Sequence, residues 1–88
     1  MGVRRRVVVS GRVQGVGFRA AVSRHARTRG VAGWVRNLPT GQVEAVFEGD
    51  EQSVAGMVRF CSRGPAGATV AGVEVVDETP VGETGFSA

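Results

Sequence analysis

Apolar residues recur with two different periods along this chain, and the changes of period mark its elements. "RRRVVVSGRV" (residues 4–13) is rich in β-branched side chains and breaks at Ser10-Gly11, which predicts a first strand running into a loop. From Gly17 to Arg29 the spacing lengthens: Phe18, Val22 and Ala26 fall four apart, Ala20 and Ala21 favour helix, and proline is missing. A helix is predicted there, stopped by Gly30. The period returns to two in "VAGWVRNLPTGQVEAVFEG" (31–49), with strands over Gly33 to Asn37 and Gln42 to Glu48; in the second, Val43, Ala45 and Phe47 alternate with Glu44, Val46 and Glu48. Between them Leu38-Pro39-Thr40-Gly41 is a turn, since proline presets φ and glycine tolerates a positive one. Asp50 is placed to cap a second helix, in which Val54, Met57, Val58 and Cys61 recur at three- and four-residue spacing until Gly64-Pro65 stops it. Residues 68–78 read as strand again, and "TGFSA" (84–88) as a short edge strand.

The order β α β β α β, with a fifth short strand, predicts an α+β fold: a ferredoxin-like two-layer sandwich, with an antiparallel sheet of four strands plus the short fifth and two helices on one face. Eighty-eight residues make one domain, residues 1–88, because a chain this short supports a single core. If the second strand lies beside the first, Asn37 approaches the loop before the first helix. The fold alone selects no function, since it hosts enzymes, metal carriers and RNA binders.

Charge narrows the picture. Residues 1–43 carry nine arginines and no acid, whereas residues 44–88 carry two arginines and eight acids, so the net +3 divides into a formal +9 and −6. The asymmetry suggests an anionic partner or substrate for the first half. All eleven cations are arginine, which excludes lysine chemistry and favours bidentate grip of phosphate. The lone cysteine, Cys61, has no partner in the chain, which suits a reducing compartment and predicts a cytoplasmic location. No stretch predicts a secretory signal or a membrane span, so no membrane partner is expected.

"GVGFRA" (15–20) formally fits G-x-G-x-x-A after a strand, but the ribose-binding acid such a dinucleotide site needs is missing before Glu44. The nucleotide P-loop needs a lysine. One histidine, His25, and one cysteine on different helices make no metal site, and they read as a helix-surface residue and a core filler. What survives is an anion site made of backbone: Gly15 and Gly17 at a helix N-terminus allow N–H groups to converge as a nest, with Arg19 in the first helical turn. A tight turn with a solvated arginine is the competing reading of that stretch. Asn37, at the end of a strand, is either turn chemistry or an amide held for a ligand. An arginine, a cup of donors and one neutral amide suffice for hydrolysis of an acyl phosphate, whose leaving carboxylate has a conjugate acid of pKa about 4 and departs unaided.

"GRVQGVGFR" (11–19) resembles the first signature of the acylphosphatases, G-x-V-Q-G-V-x-F-R, and "GWVRNLPTGQVEAVFEG" (33–49) resembles the second, with Gly33, Asn37, Gly41, Val43 and Gly49 in register. "RGPAGATVAGVEV" and the closing "TGF" are similar too, so the likeness spans nearly the whole chain. It implies hydrolysis of carboxyl-phosphate anhydrides without metal or organic cofactor. By resemblance, Arg19 binds the phosphate, Gly15, Val16, Gly17, Phe18 and Arg19 form the phosphate loop, and Asn37 orients the attacking water. The implied partner is a small acyl phosphate, with inorganic phosphate or other anions as further ligands of the site and a monomer as the working unit. The chain departs from the family pattern in having Ala20 and Ala21, where relatives commonly place an aromatic ring at position 20 or 21, and Arg29, where they place Leu or Ile; loss of a buried large side chain costs roughly 2 to 5 kcal/mol.

A module of another class competes: a non-catalytic RNA- or anion-binding ferredoxin-like domain, suggested by the +9 half and the element order. RNA-recognition folds stack bases on aromatic residues of the open sheet face. This chain has no tyrosine and lacks their motif, and Trp34 and Phe47 are expected to serve as site scaffold and core, so nucleic acid is not an expected partner.

Overall fold

The computed structural model describes residues 2–88. In chain order the elements are β1 (Gly2–Arg12), α1 (Phe18–Arg29), β2 (Ala32–Asn37), β3 (Val43–Asp50), α2 (Glu51–Arg63), β4 (Thr69–Glu78) and β5 (Phe86–Ser87). Each predicted element is present, with ends moved by one or two residues. The helix stops follow local rules. Gly30 ends α1 in the left-handed region at φ 69°, and Val31 N–H reaches back to Ala26 O at 2.9 Å. The Asp50 carboxylate accepts from Ser53 N–H at 3.0 Å to open α2.

The five strands run in the order β4-β1-β3-β2-β5. Pairs β1/β3, β1/β4 and β2/β3 are antiparallel, while β5 lies parallel to β2 at the edge. The expectation that β2 neighbours β1 is therefore corrected: β3 lies between them. The tight turn after Asn37 folds β3 straight back against β2, and β3 then takes the place beside β1 that the α1 crossover has left open. Asn37 pairs with Val43 and Val43 pairs with Val9, so Asn37 stands two strands from the end of β1.

Alternation sends Val7 and Val9 of β1, Val35 of β2 and Val43, Ala45 and Phe47 of β3 to one face. There they are buried against Phe18, Val22 and Ala26 of α1 and Val54, Met57 and Cys61 of α2. Burying each of the larger side chains contributes roughly 1.5 to 3 kcal/mol. Close backbone approach sets one position: Gly33, at φ 136°, lies so near the Val46 carbonyl that a Cβ would collide with it.

The opposite face of the sheet absorbs much of the charge asymmetry. Arg4 bonds Glu78 (2.9 Å), Glu48 (3.1 Å) and Glu83 (3.1 Å); Arg6 bonds Glu78 (2.7 Å) and Glu44; Arg36 bonds Glu44 (2.7 Å). Arg5 pairs with Asp77 and Glu51 at one end of the sheet. Four of the nine arginines of the first half are thus neutralised by acids of the second half and are not available to an anionic partner or substrate. Trp34 is corrected as well: it belongs to this face, with the Arg6 and Arg36 guanidinium groups 5.7 and 5.0 Å from its ring centroid, and does not line the cavity beside Asn37. An aromatic ring packed by two ion-paired arginines is a poor platform for a base, and the RNA-binding alternative is not favoured.

The departures in α1 have mild consequences. Position 20 is exposed, and the exposed Arg29 lays its guanidinium over Gly56, where a Cβ would overlap it. Only Ala21 of the three is buried, at 3% exposure, so the core loses no large side chain at 20 or 29.

Candidate active site

The loop between β1 and α1 is built by its glycines. Gly15 has φ 74° and Gly17 has φ 78°, whereas no non-glycine residue among those described has a positive φ. Left-handed residues on either side of Val16 allow successive N–H groups to turn toward one side, as an anion nest requires. Gly17 is also the N-cap of α1 and supplies no side-chain bond to the first turn. The first-turn N–H groups and the positive end of the helix dipole are therefore left to whatever occupies the loop.

Phe18 points the other way. It is buried at 2% exposure and approaches Gly64, anchoring the loop in the core. Val16 packs on the core edge. Arg19, the next residue, is exposed and forms no ion pair with any described residue.

Gln14 fixes the loop from the far side. Its Nε2 donates to Leu38 O at 2.8 Å and to Gln42 O at 2.9 Å, strapping the glycine loop to the turn between β2 and β3. That turn is closed by Gly41 N–H to Leu38 O (3.1 Å) and Leu38 N–H to Gln42 O (2.8 Å), with Gly41 at φ 92°. Gln42 in turn donates to Ser10 Oγ at 2.8 Å. Asn37 sits at the head of this turn, on the same sheet face as Gly33 and Val35, and so it meets the start of α1.

The result is a cavity of about 190 Å3 lined by Val13, Gly15, Gly17, Phe18, Arg19, Ala20 and Asn37. It falls below the roughly 300–1,000 Å3 of sites that enclose drug-sized ligands, and suits one small group. The structure brings together Gly15, Gly17, Phe18, Arg19 and Asn37 of the sequence-derived site; Val16 contributes to the loop without lining the cavity. A larger depression of about 550 Å3, beside Arg24, His25, Thr28 and Arg29, excludes the glycine loop and Asn37, so size does not mark the site. Gln14 is the member that residue-by-residue reading did not single out; its amide inside a glycine turn was the available signal.

The remaining titratable candidates lie elsewhere. Burial pushes the Cys61 thiol up to about 12, and its side chain is fully enclosed in the core. His25 is half-buried and stacks on Phe60 with ring centroids 4.1 Å apart. Among the described residues no group of three or more His, Cys, Asp or Glu is placed to hold a metal ion, and no helix is long and apolar enough to cross a membrane.

A ferredoxin-like α+β sandwich whose first βα loop forms a backbone cup, edged by an arginine and faced by an amide, defines the class. The family model described as Acylphosphatase matches residues 5–88. An acylphosphatase of Anaeromyxobacter dehalogenans is 54% identical over 83 residues, covering 94% of this chain and 89% of its own. The crystal structure of acylphosphatase from Bacillus subtilis superposes with a TM-score of 0.92 at 37% identity, covering 97% of this chain and 96% of that one. An acylphosphatase structure from Coxiella burnetii gives 0.93 at 34% identity, covering 98% and 90%. The chain belongs to the acylphosphatase family and is a hydrolase of that family.

Proposed function

We propose that the enzyme hydrolyses acyl phosphates in the cup between Gly15, Arg19 and Asn37, working as a cytoplasmic monomer and a single domain. The observation that carries this reading is the gathering of the glycine loop, Arg19 and Asn37 around one cavity of about 190 Å3. The N–H groups of residues 15–19 and the Arg19 guanidinium receive the phosphoryl oxygens and spread their charge as the transition state forms. Asn37 holds a water in line behind phosphorus. Water oxygen bonds to phosphorus as the bond to the acyl oxygen breaks, and the carboxylate leaves with the electron pair. The water proton passes to a phosphoryl oxygen of the substrate, since the cavity lining contains no carboxylate or imidazole to take it. Inorganic phosphate, as product, occupies the same cup.

Phosphate release from benzoyl phosphate in EDTA tests the reading. Arg19→Gln lowers kcat/KM by roughly a thousandfold or more, as for arginines that stabilise phosphoryl transfer. Asn37→Ala lowers it by about a hundredfold, as for a lost oriented donor. Wild-type turnover in either variant would refute the assignment of that residue.

A further inference from the structure

Ala20 lines two cavities, the cup and an adjoining groove of about 500 Å3 bounded by Ser23, Arg24, Arg27, Thr28 and Ala88. The two spaces therefore share Ala20 as a common wall. The α1 members of the groove, at positions 20, 23, 24, 27 and 28, form one stripe of the helix, so Arg24 and Arg27 stand roughly 6 and 10 Å along the axis from Ala20. Both arginines are exposed, and neither forms an ion pair with any described residue, in contrast to Arg4, Arg5, Arg6 and Arg36. No Asp or Glu occurs in α1 or in the groove lining. Arg27 is held in place by Nη2 donating to Phe86 O at 3.1 Å, which leaves its other N–H groups available.

We infer that this groove is the acyl-group subsite, and that Arg24 and Arg27 select acyl phosphates carrying a second anionic group remote from the scissile bond. The inference rests on the proposed cup. With the phosphoryl group seated there, the acyl chain leaves past Ala20 and its far end meets the two guanidinium groups. These are specificity residues; they take no part in the displacement at phosphorus.

The test compares 4-carboxybenzoyl phosphate with 4-carbamoylbenzoyl phosphate, which share a shape and differ by one charge, with benzoyl phosphate as reference. The wild type is expected to favour the carboxylate in kcat/KM by roughly three- to tenfold through KM, the range exposed ion pairs allow, with the preference shrinking at high salt. Arg24→Gln/Arg27→Gln should abolish the preference, and the double lysine variant should restore it. Arg29→Gln/Arg59→Gln removes the same charge outside the groove and should preserve the preference, which separates a local subsite from the field of the whole protein. Equal kcat/KM for the two substrates in the wild type, or a preference that survives Arg24→Gln/Arg27→Gln, would overturn the subsite alone. Failure to turn over benzoyl phosphate would overturn the cup and the subsite with it.

Discussion

Replacing Gln14 by Ala isolates the contribution of tertiary scaffolding to this site, because Gln14 does not line the cup. The substitution removes two hydrogen bonds from Nε2, to Leu38 O and Gln42 O. Each carbonyl keeps a second donor, Gly41 N–H and Leu38 N–H respectively, so neither is left unsatisfied and the full desolvation penalty does not arise. The loss is then about 1 kcal/mol per bond, or about 2 kcal/mol, which for a domain of this size corresponds to a fall in Tm of roughly 8 to 16 °C. The functional effect is larger than that stability loss suggests. With the strap cut, the glycine loop and Asn37 are no longer held in register, and misplacement of about 1 Å costs on the order of a hundredfold in rate. Gln14→Ala is expected to lower kcat/KM for benzoyl phosphate by roughly ten- to a hundredfold while the protein remains folded at 25 °C. Gln14→Glu should be worse than Ala, since it sets a carboxylate against two carbonyl oxygens and beside an anion cup. Thermal unfolding followed by circular dichroism and steady-state phosphate release measure the two effects. A Gln14→Ala enzyme with wild-type Tm and wild-type kcat/KM would refute the strap.

Two further outcomes concern the scaffold. Gly33→Ala places a methyl group on the Val46 carbonyl at a φ of 136° and disturbs the pairing of β2 with both β3 and β5, so a loss of about 3 kcal/mol or more is expected from a total of about 4 to 13; urea unfolding measures it, and an unchanged midpoint would contradict the close approach. Acid should weaken the fold through the ion-paired sheet face. Burial pushes Glu44 up, but the Arg36 and Arg6 guanidinium groups outweigh it and hold the carboxyl below its usual range; the Val81 and Gly82 N–H groups with Arg4 do the same for Glu48, and Arg6 and Arg4 for Glu78. With folded pKa values below unfolded ones, their stabilisation is complete above about pH 5 and is lost as pH falls through about 4 and below. Denaturation midpoints measured from pH 7 to 3 should fall in that window, and the dependence should flatten in the triple Gln variant at 44, 48 and 78.

What the chain determined by itself is what short-range rules reach. Helix and strand periods, the Asp50 cap, the Gly30 stop and the left-handed Gly15, Gly17 and Gly41 each depend on residues within about four positions, so they were legible as written. The glycine loop belongs to this group, because a glycine turn entering a helix is a local object. The tertiary structure decided the rest, because the partners are far apart in sequence. Arg4 and Glu78, separated by 74 positions, meet only when β1 and β4 pair, and that meeting helps to neutralise one face of the sheet. Insertion of β3 between β1 and β2 follows from the tight turn after Asn37 but is not visible in any window around it. The strap from Gln14 to Leu38 and Gln42 spans 24 and 28 positions, and Asn37 and Arg19 line one cavity only because that strap and the β2–β3 pairing bring the turn to the start of α1. Backbone conformation is a property of neighbours, whereas a site that joins two loops depends on how strands pair.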